Sequence, residues 1–318
     1  MSIAIVMKNN TSHGMKRFRF FTRKYTWFYV LLIPAILYFV VFKYLPMVGL
    51  MMAFKDISLA EGMQGLLTAP WVGLKHFVRF FSSPNAGRLI GNTLEISFLN
   101  ILFGFPLPII LAVMITELKN KYFQKAAQTI SYLPHFISWV VASGLIVNLL
   151  TTSGGFVSEV MKFLGKDPVM ILGNPKYFVV LLVTSNIWKE IGWNTIIYIA
   201  AIASIDESLY EAAHIDGASR MQQIIHITLP SISFIIAMMF ILQAGFILDA
   251  GFEQILLMYS EAVYEVGDII DTYVYRVGLR QMEYSYATAV GLFKSVISLI
   301  VVVGVNRVVK WFGHEGIW

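Results

Sequence analysis

Two sets of residues in this chain of 318 amino acids have types and spacings suited to chemistry. The first is a polar island, Glu211-Ala-Ala-His-Ile-Asp-Gly217, running on to Ile227-Thr-Leu-Pro230 between long apolar segments. Its chemistry is recognition. Ala212 and Ala213 keep one helix slim enough to approach a partner groove closely, and Glu211 offers a carboxylate to an arginine there. The second set lies inside apolar stretches: Asn186, Trp188, Lys189, Glu190, Trp193 and Asn194 in one, His135, Ser138 and Asn148 in another, Gln243 and Asp249 in a third, Lys294 in a fourth. Polar groups so placed are costly in hydrocarbon and tend to face a cavity. Hydrogen-bonding groups beside aromatic faces suit a polyhydroxylated ligand such as a sugar.

Covalent chemistry has no candidate site. The sequence contains no HExxH and no GxSxG, and its six histidines are scattered without metal-ligand spacing. No G-x-x-x-x-G-K-[ST] phosphate loop occurs; the nearest fragment, Gly165-Lys166-Asp167, lacks both the first glycine and the hydroxyl. ATP is therefore not expected to bind here. Cysteine is absent, which removes disulfides, thiolate metal sites and a lipid-acceptor thiol.

The elements that must position these residues follow from composition. With 57% hydrophobic and 14% charged residues and a mean hydropathy of +0.69, the chain holds more apolar side chain than a soluble core could bury. It belongs in a bilayer, where a helix of roughly 20 mostly apolar residues spans the hydrocarbon. Six such stretches run from Trp27 to Leu45, Leu94 to Ile115, Ile130 to Leu150, Phe178 to Ala203, Ile232 to Leu248 and Ala287 to Val309. The first follows a basic flank but is too long for a signal peptide and has no small-residue cleavage site after it.

Lys and Arg favour the cytoplasmic side. With both termini inside, the inner segments carry twelve basic residues and the outer loops ten, a bias that rests mainly on the N-terminal tail. The positive net charge then reads as topological and lipid-facing, with no nucleic-acid surface. The outer connections are long. Pro70 to Phe81 places Leu74, Phe77, Val78 and Phe81 on one face and predicts an amphipathic helix at the outer interface. The loops Thr151 to Tyr177 and Met258 to Tyr286, the latter with Glu261, Glu265, Asp268 and Asp271, either receive an external partner or simply connect spans.

The island reads as a helix-turn-helix across the membrane face. Asp206 caps a helix from Ser208 to Ile215, Asp216-Gly217 ends it, and Ala218 onward starts a second helix with Met221, Ile224, Ile225 and Thr228 on one side, ended by Pro230. In the fourth span, Asn186, Lys189 and Trp193 fall near one face, and Glu190 and Asn194 near another. The same residues also suit a packing role: Lys189 and Glu190 as an ion pair with another span, Trp188 and Trp193 as filler, Asn and Gln as glue between helices, and His135 after Pro134 as a helix start.

Glu-Ala-Ala, three residues, Gly217, nine residues, Ile227, one residue and Leu229-Pro230 match the EAA loop at all seven fixed positions. The chain thereby resembles the permeases of binding-protein-dependent ABC importers, the type I or maltose-type fold. Phe42-Lys-Tyr-Leu-Pro46, Ser131-Tyr-Leu-Pro-His-Phe-Ile-Ser-Trp139, Ser285-Tyr-Ala-Thr-Ala-Val-Gly-Leu-Phe293 and Ile317-Trp318 are similar to segments of the subfamily importing complex oligosaccharides or polysaccharide fragments.

The resemblance implies an all-α membrane protein of six transmembrane helices with cytoplasmic N- and C-termini, in a bacterial cytoplasmic membrane. A cytoplasmic tail, residues 1–24, would precede a single permease domain, residues 25–318, with its coupling loop at 205–230. It also implies an extracytoplasmic solute-binding protein, a second permease subunit that is a paralogue, and two ATP-binding subunits that hold ATP and Mg. Glu211, Ala212, Ala213, Asp216, Gly217 and Pro230 would couple to the ATPase. The expected substrate pathway is Asn186, Trp188, Lys189, Glu190, Trp193, Asn194, Gln243 and Asp249. Two alternatives stand beside this: an ion-coupled carrier cycling protons or ions through Glu190, Asp249, Lys189 and Lys294, and a membrane scaffold whose island recruits a cytoplasmic partner.

Overall fold

The computed structural model describes residues 26–57, 62, 64–311 and 313, so the tail 1–24 and the closing Ile317-Trp318 lie outside the described residues. Among the described residues the architecture is helical, with one isolated antiparallel bridge between Lys55 and Trp71. Three helices are each long and apolar enough to cross a bilayer: α1 (Thr26–Phe54), α3 (Asn85–Thr116) and a C-terminal helix, Tyr284–Trp311. The short α2 (Lys75–Phe81) lies between the first two.

Two further segments pass only as bent pairs, which corrects the expectation of straight spans. Helices α4 (Lys121–Phe136) and α5 (Trp139–Leu150) meet at 99°. Pro134 tightens the end of α4 into a 3-10 turn, Leu133–Phe136, and Ser138 then caps α5 by accepting from Val141 N–H. The expected span from Ile130 is therefore a corner.

After α6 (Phe156–Phe163) comes α7 (Pro175–Ala203), whose 29 residues exceed a bilayer span. Asn186, Lys189, Glu190 and Asn194 at its centre keep it outside the apolar set. The island forms α8 (Glu207–Ile215) and α9 (Arg220–Ser231), and α9 meets α10 (Ser233–Gly245) at 61°. The last expected boundary, Leu248, falls in irregular chain beyond α10.

Pro230 does not end α9 where it stands. A π-turn, Ile224–Thr228, widens the helix just before it, and the bend comes after Ser231. Proline has no N–H and its ring crowds the carbonyl four residues back, so one wide turn absorbs both defects. Pro46 in α1 is preceded by the same device, a π-turn at Val40–Tyr44.

In the remaining chain, α11 (Phe252–Met258) packs on α5, α12 (Ile270–Tyr275) on α3, and α13 (Tyr284–Trp311) on α1, α2, α10 and α12. The stretch between α11 and α13 is more internal than its acidic composition suggests. Asp268 is fully buried, with Arg276 donating to both of its oxygens at 3.1 and 2.5 Å and Thr272 Oγ1 donating at 2.8 Å. Asn92 Nδ2 donates to the carbonyls of Glu265 and Asp268, both at 3.0 Å, and ties this stretch to α3.

On α2 the expected apolar face is present. Leu74, Val78 and Phe81 are exposed, and Phe77 leans on Phe54 at 5.6 Å between ring centroids. The buried face is His76 and Phe80. Arg79 donates to both oxygens of Glu283, at 2.5 and 3.1 Å, which fastens α2 to the start of α13 and holds the guanidinium more firmly charged than usual. Lys75 donates to Asp56 at 2.5 Å, and that bond holds the Asp56 carboxyl below its ordinary value.

Helices in lipid gain little from apolar burial alone, so close backbone approach matters. At Gly192 of α7 a Cβ would lie 1.9 Å from the carbonyl oxygen of Ser131 in α4. Neither atom belongs to a flexible side chain, so Gly192→Ala forces two helices apart. We expect it to lower stability by about 2 kcal/mol or more, the scale of overpacking a close contact, whereas Gly304→Ala, with nothing within 4 Å of its Cβ, has little effect. Thermal unfolding of the two variants in one detergent checks this.

Candidate functional site

The island is built as an exposed clasp. Asp206 Oδ1 accepts from Ser208 N–H at 3.0 Å and caps α8; this backbone bond, then the Ser208 hydroxyl, holds its carboxyl below the ordinary value. Gly217 takes φ +78°, and the bonds Gly217 N to His214 O, 3.1 Å, and Ala218 N to Ala213 O, 2.9 Å, close the helix end in a Schellman turn. Ser219 and Gln222 form a capping box that starts α9. The hydroxyls of Tyr210 and Thr228, 2.8 Å apart, fasten α8 to α9.

Glu211, Ala212, Asp216, Gly217 and Pro230 are exposed and Ala213 is half-buried. Around them stand apolar side chains without cover: Ile215 at 85% exposure, with Leu209, Met221 and Ile225 also exposed. Of the expected second-helix face, only Thr228 is buried. A carboxylate among uncovered apolar groups on a capped helix pair is fitted to dock rather than to react.

A cavity of about 580 Å³ lies between α3, α7 and α10. It brings together five of the eight residues expected there: Asn186, Glu190, Asn194, Gln243 and Asp249. On α7 the lining recurs every fourth residue, Asn186, Glu190, Asn194 and Tyr198, one stripe where the sequence reading placed two faces. Asn100 of α3 completes the wall, accepting from Asn186 Nδ2 at 3.3 Å. Asn100 was missed, although an amide inside the second apolar stretch carries the same signal as Asn186.

Trp188, Lys189 and Trp193 do not line the cavity. Trp188 is exposed on the outer side of α7. Lys189, only 6% exposed, turns to the α4–α5 corner, where Nζ donates to the His135 carbonyl at 2.9 Å and lies 3.4 Å from Glu190 Oε1. Its ammonium also sits 5.4 Å from the Trp139 ring. His135 Nδ1 meets Glu190 Oε2 at 2.8 Å, and the His135 ring stacks on Trp193 with centroids 4.4 Å apart and planes 5° from parallel. Packing across helices accounts for Lys189 and Trp193, and Glu190 belongs to both the corner and the cavity.

A chain that is helical among the described residues, with three helices apolar enough to cross a bilayer and polar groups gathered in a cavity between α3, α7 and α10, is built as a membrane transport component. Residues 104–314 match the family of binding-protein-dependent transport system inner membrane components, and the chain belongs to that family. Such subunits are transport components without an ATPase of their own. The polygalacturonan/rhamnogalacturonan transport system permease protein YteP of Bacillus subtilis (strain 168) is 44% identical over 290 residues, covering 91% of this chain and 89% of the relative. A solved bacterial ABC transporter involved in the import of the acidic polysaccharide alginate is similar at TM-score 0.86 and 44% identity, over 92% of this chain and 98% of that one. A bacterial alginate ABC transporter solved in complex with an alginate pentasaccharide-bound periplasmic protein gives TM-score 0.85 and 43% identity, over 93% and 98%.

Removing the Glu190 carboxylate would strand a buried ammonium beside His135. Glu190→Leu is expected to cost about 3 kcal/mol, the scale of breaking a buried pair from one side. Lys189→Leu added to it recovers part of that loss. Thermal midpoints of the single and double variants decide; equal or additive losses would contradict the pairing.

Proposed function

We propose that this chain is a permease subunit of an ATP-driven importer that translocates oligosaccharides or polysaccharide fragments handed over by an extracytoplasmic solute-binding protein. The observation that carries the reading is likeness over nearly the whole length, 44% identity in each case, to a polygalacturonan/rhamnogalacturonan transport system permease protein and to a transporter involved in the import of the acidic polysaccharide alginate. The cavity supports it: amides of Asn100, Asn186, Asn194 and Gln243 both donate and accept, which suits sugar hydroxyls.

The chain crosses the bilayer six times, by α1, α3, the α4–α5 pair, α7, the α9–α10 pair and α13, with both termini on the cytoplasmic side of a bacterial membrane. Residues 1–24 form a cytoplasmic tail ahead of one permease domain. The loop 205–230 then faces the cytoplasm and docks one of two ATP-binding subunits, which hold ATP and Mg. A paralogous permease completes the pathway. ATP-driven closure of the ATPase pair and the outward-facing pathway favour each other, since either equilibrium biases its partner through the docked loop.

Gentle detergent purification is expected to recover this chain with an ATPase and a second permease; recovery of the chain alone sinks the importer reading. Within the assembled complex, Glu211→Lys or Gly217→Pro is expected to leave the subunit membrane-inserted and to uncouple ATP hydrolysis from uptake. Normal uptake by either variant in vesicles loaded with ATP would contradict the docking assignment.

A further inference from the structure

A second cavity, of about 880 Å³, opens between the end of α10, α12, α13 and Leu50 of α1. It meets the first at Phe246 and Asp249, which line both. Among the described residues, Lys294 is the only Lys or Arg lining either cavity. It stands ten residues into α13, about 15 Å from the helix start at the α-helical rise, a depth at which an unpaired charge is expensive. Its Nζ donates to Asp271 Oδ2 of α12.

We propose that Lys294 is the recognition residue for a carboxylate of the transported sugar, and that Asp271 is the resting occupant the substrate displaces; this rests on the importer reading above. An ammonium has three donor hydrogens and Asp271 takes one, so the point charge can serve an incoming anion. Exchange of one carboxylate for another keeps the Lys294 ammonium paired, and the displaced Asp271 carboxylate faces the open cavity that both residues line. The surroundings are suited to a sugar ring: the hydroxyls of Tyr275, Thr288, Ser295 and Ser298 line the same cavity.

The first cavity offers a uronate no such partner. Among the described residues no Lys or Arg lines it, and Glu190 is already engaged by His135 and Lys189. An acidic oligosaccharide therefore lies with hydroxyls on the amides and a carboxylate on Lys294. The chemical class is a uronic-acid oligomer.

The test uses the complete importer in liposomes, with oligogalacturonate and its methyl-esterified neutral counterpart as probes. Each variant is normalised to wild type for the same probe, so the binding protein's own preference cancels. Lys294→Gln is expected to lower acidic uptake about tenfold more than neutral uptake, the scale of one charge-assisted hydrogen bond. Lys294→Arg retains the discrimination, and Asp271→Asn raises acidic uptake at low probe concentration. An equal fall for both probes in Lys294→Gln, or an unchanged ratio, overturns the proposal and leaves Lys294 a structural tie. A wild-type complex that takes up neither probe overturns this proposal, while the importer reading stands or falls on the purification above.

Discussion

The corner between α4 and α5 exists because α7 supplies what the break in the helix loses. A helix that turns by 99° frees backbone carbonyls at the break, and each needs a partner. The ammonium of Lys189 donates to one of them, the carbonyl of His135, and Glu190 balances that charge while holding the His135 ring. Gly192, one turn on, lets the backbones touch. Lengthening any of these groups moves the corner away from α7 and leaves the carbonyl stranded.

From that contact follows the division of labour on α7. Lys189 and Trp193 are committed to the corner, which leaves the neighbouring stripe of Asn186, Glu190, Asn194 and Tyr198 free for the cavity. Glu190 sits on the boundary, lining the cavity with a carboxylate already satisfied from behind. Through Glu190 the α7 wall therefore gains polarity without an unpaired anion, since that carboxylate is held by His135 and Lys189.

Local signals in the sequence were the most legible. Asp206 and Asp216-Gly217 set the ends of α8 within a residue of expectation, because caps act through backbone groups only a few positions away, whereas α9 starts at Arg220, after the cap Ser219, and not at the expected Ala218. Hydropathy found the three uniformly apolar helices. It could not find the corner, since Pro134 and Ser138 lie inside a run that stays apolar on average over the length of a span. Nor could periodicity on α7 tell a residue that packs from one that faces a cavity. Lys189 and Glu190 are adjacent and equally costly in lipid; only the position of His135, 54 residues before Lys189 in sequence, separates their roles. The acidic stretch from Glu261 to Asp271 misled for the same reason, because Asp268 finds its arginine eight residues later, at Arg276.

Connectivity now gives the loop and the cavity a physical relation. Only Ser204, Ile205 and the cap Asp206 separate α7 from α8, and Tyr210 clasps α8 onto α9, which leads through the 61° bend into α10. The two helices that face each other across the amide-lined cavity are thus the two that enter and leave the exposed loop. A partner that shifts α8 moves both cavity walls through short, capped, hydrogen-bonded joints, and a solute that spreads those walls moves α8 in return. Such reciprocity needs a packed element with two arrangements rather than a long wire of contacts. The non-helical backbone from Phe246 to Gly251, where both cavities meet, is held by short turn bonds, Ile247 N–H to Ala244 O at 3.2 Å and Asp249 N–H to Phe246 O at 2.8 Å, in place of a helical ladder.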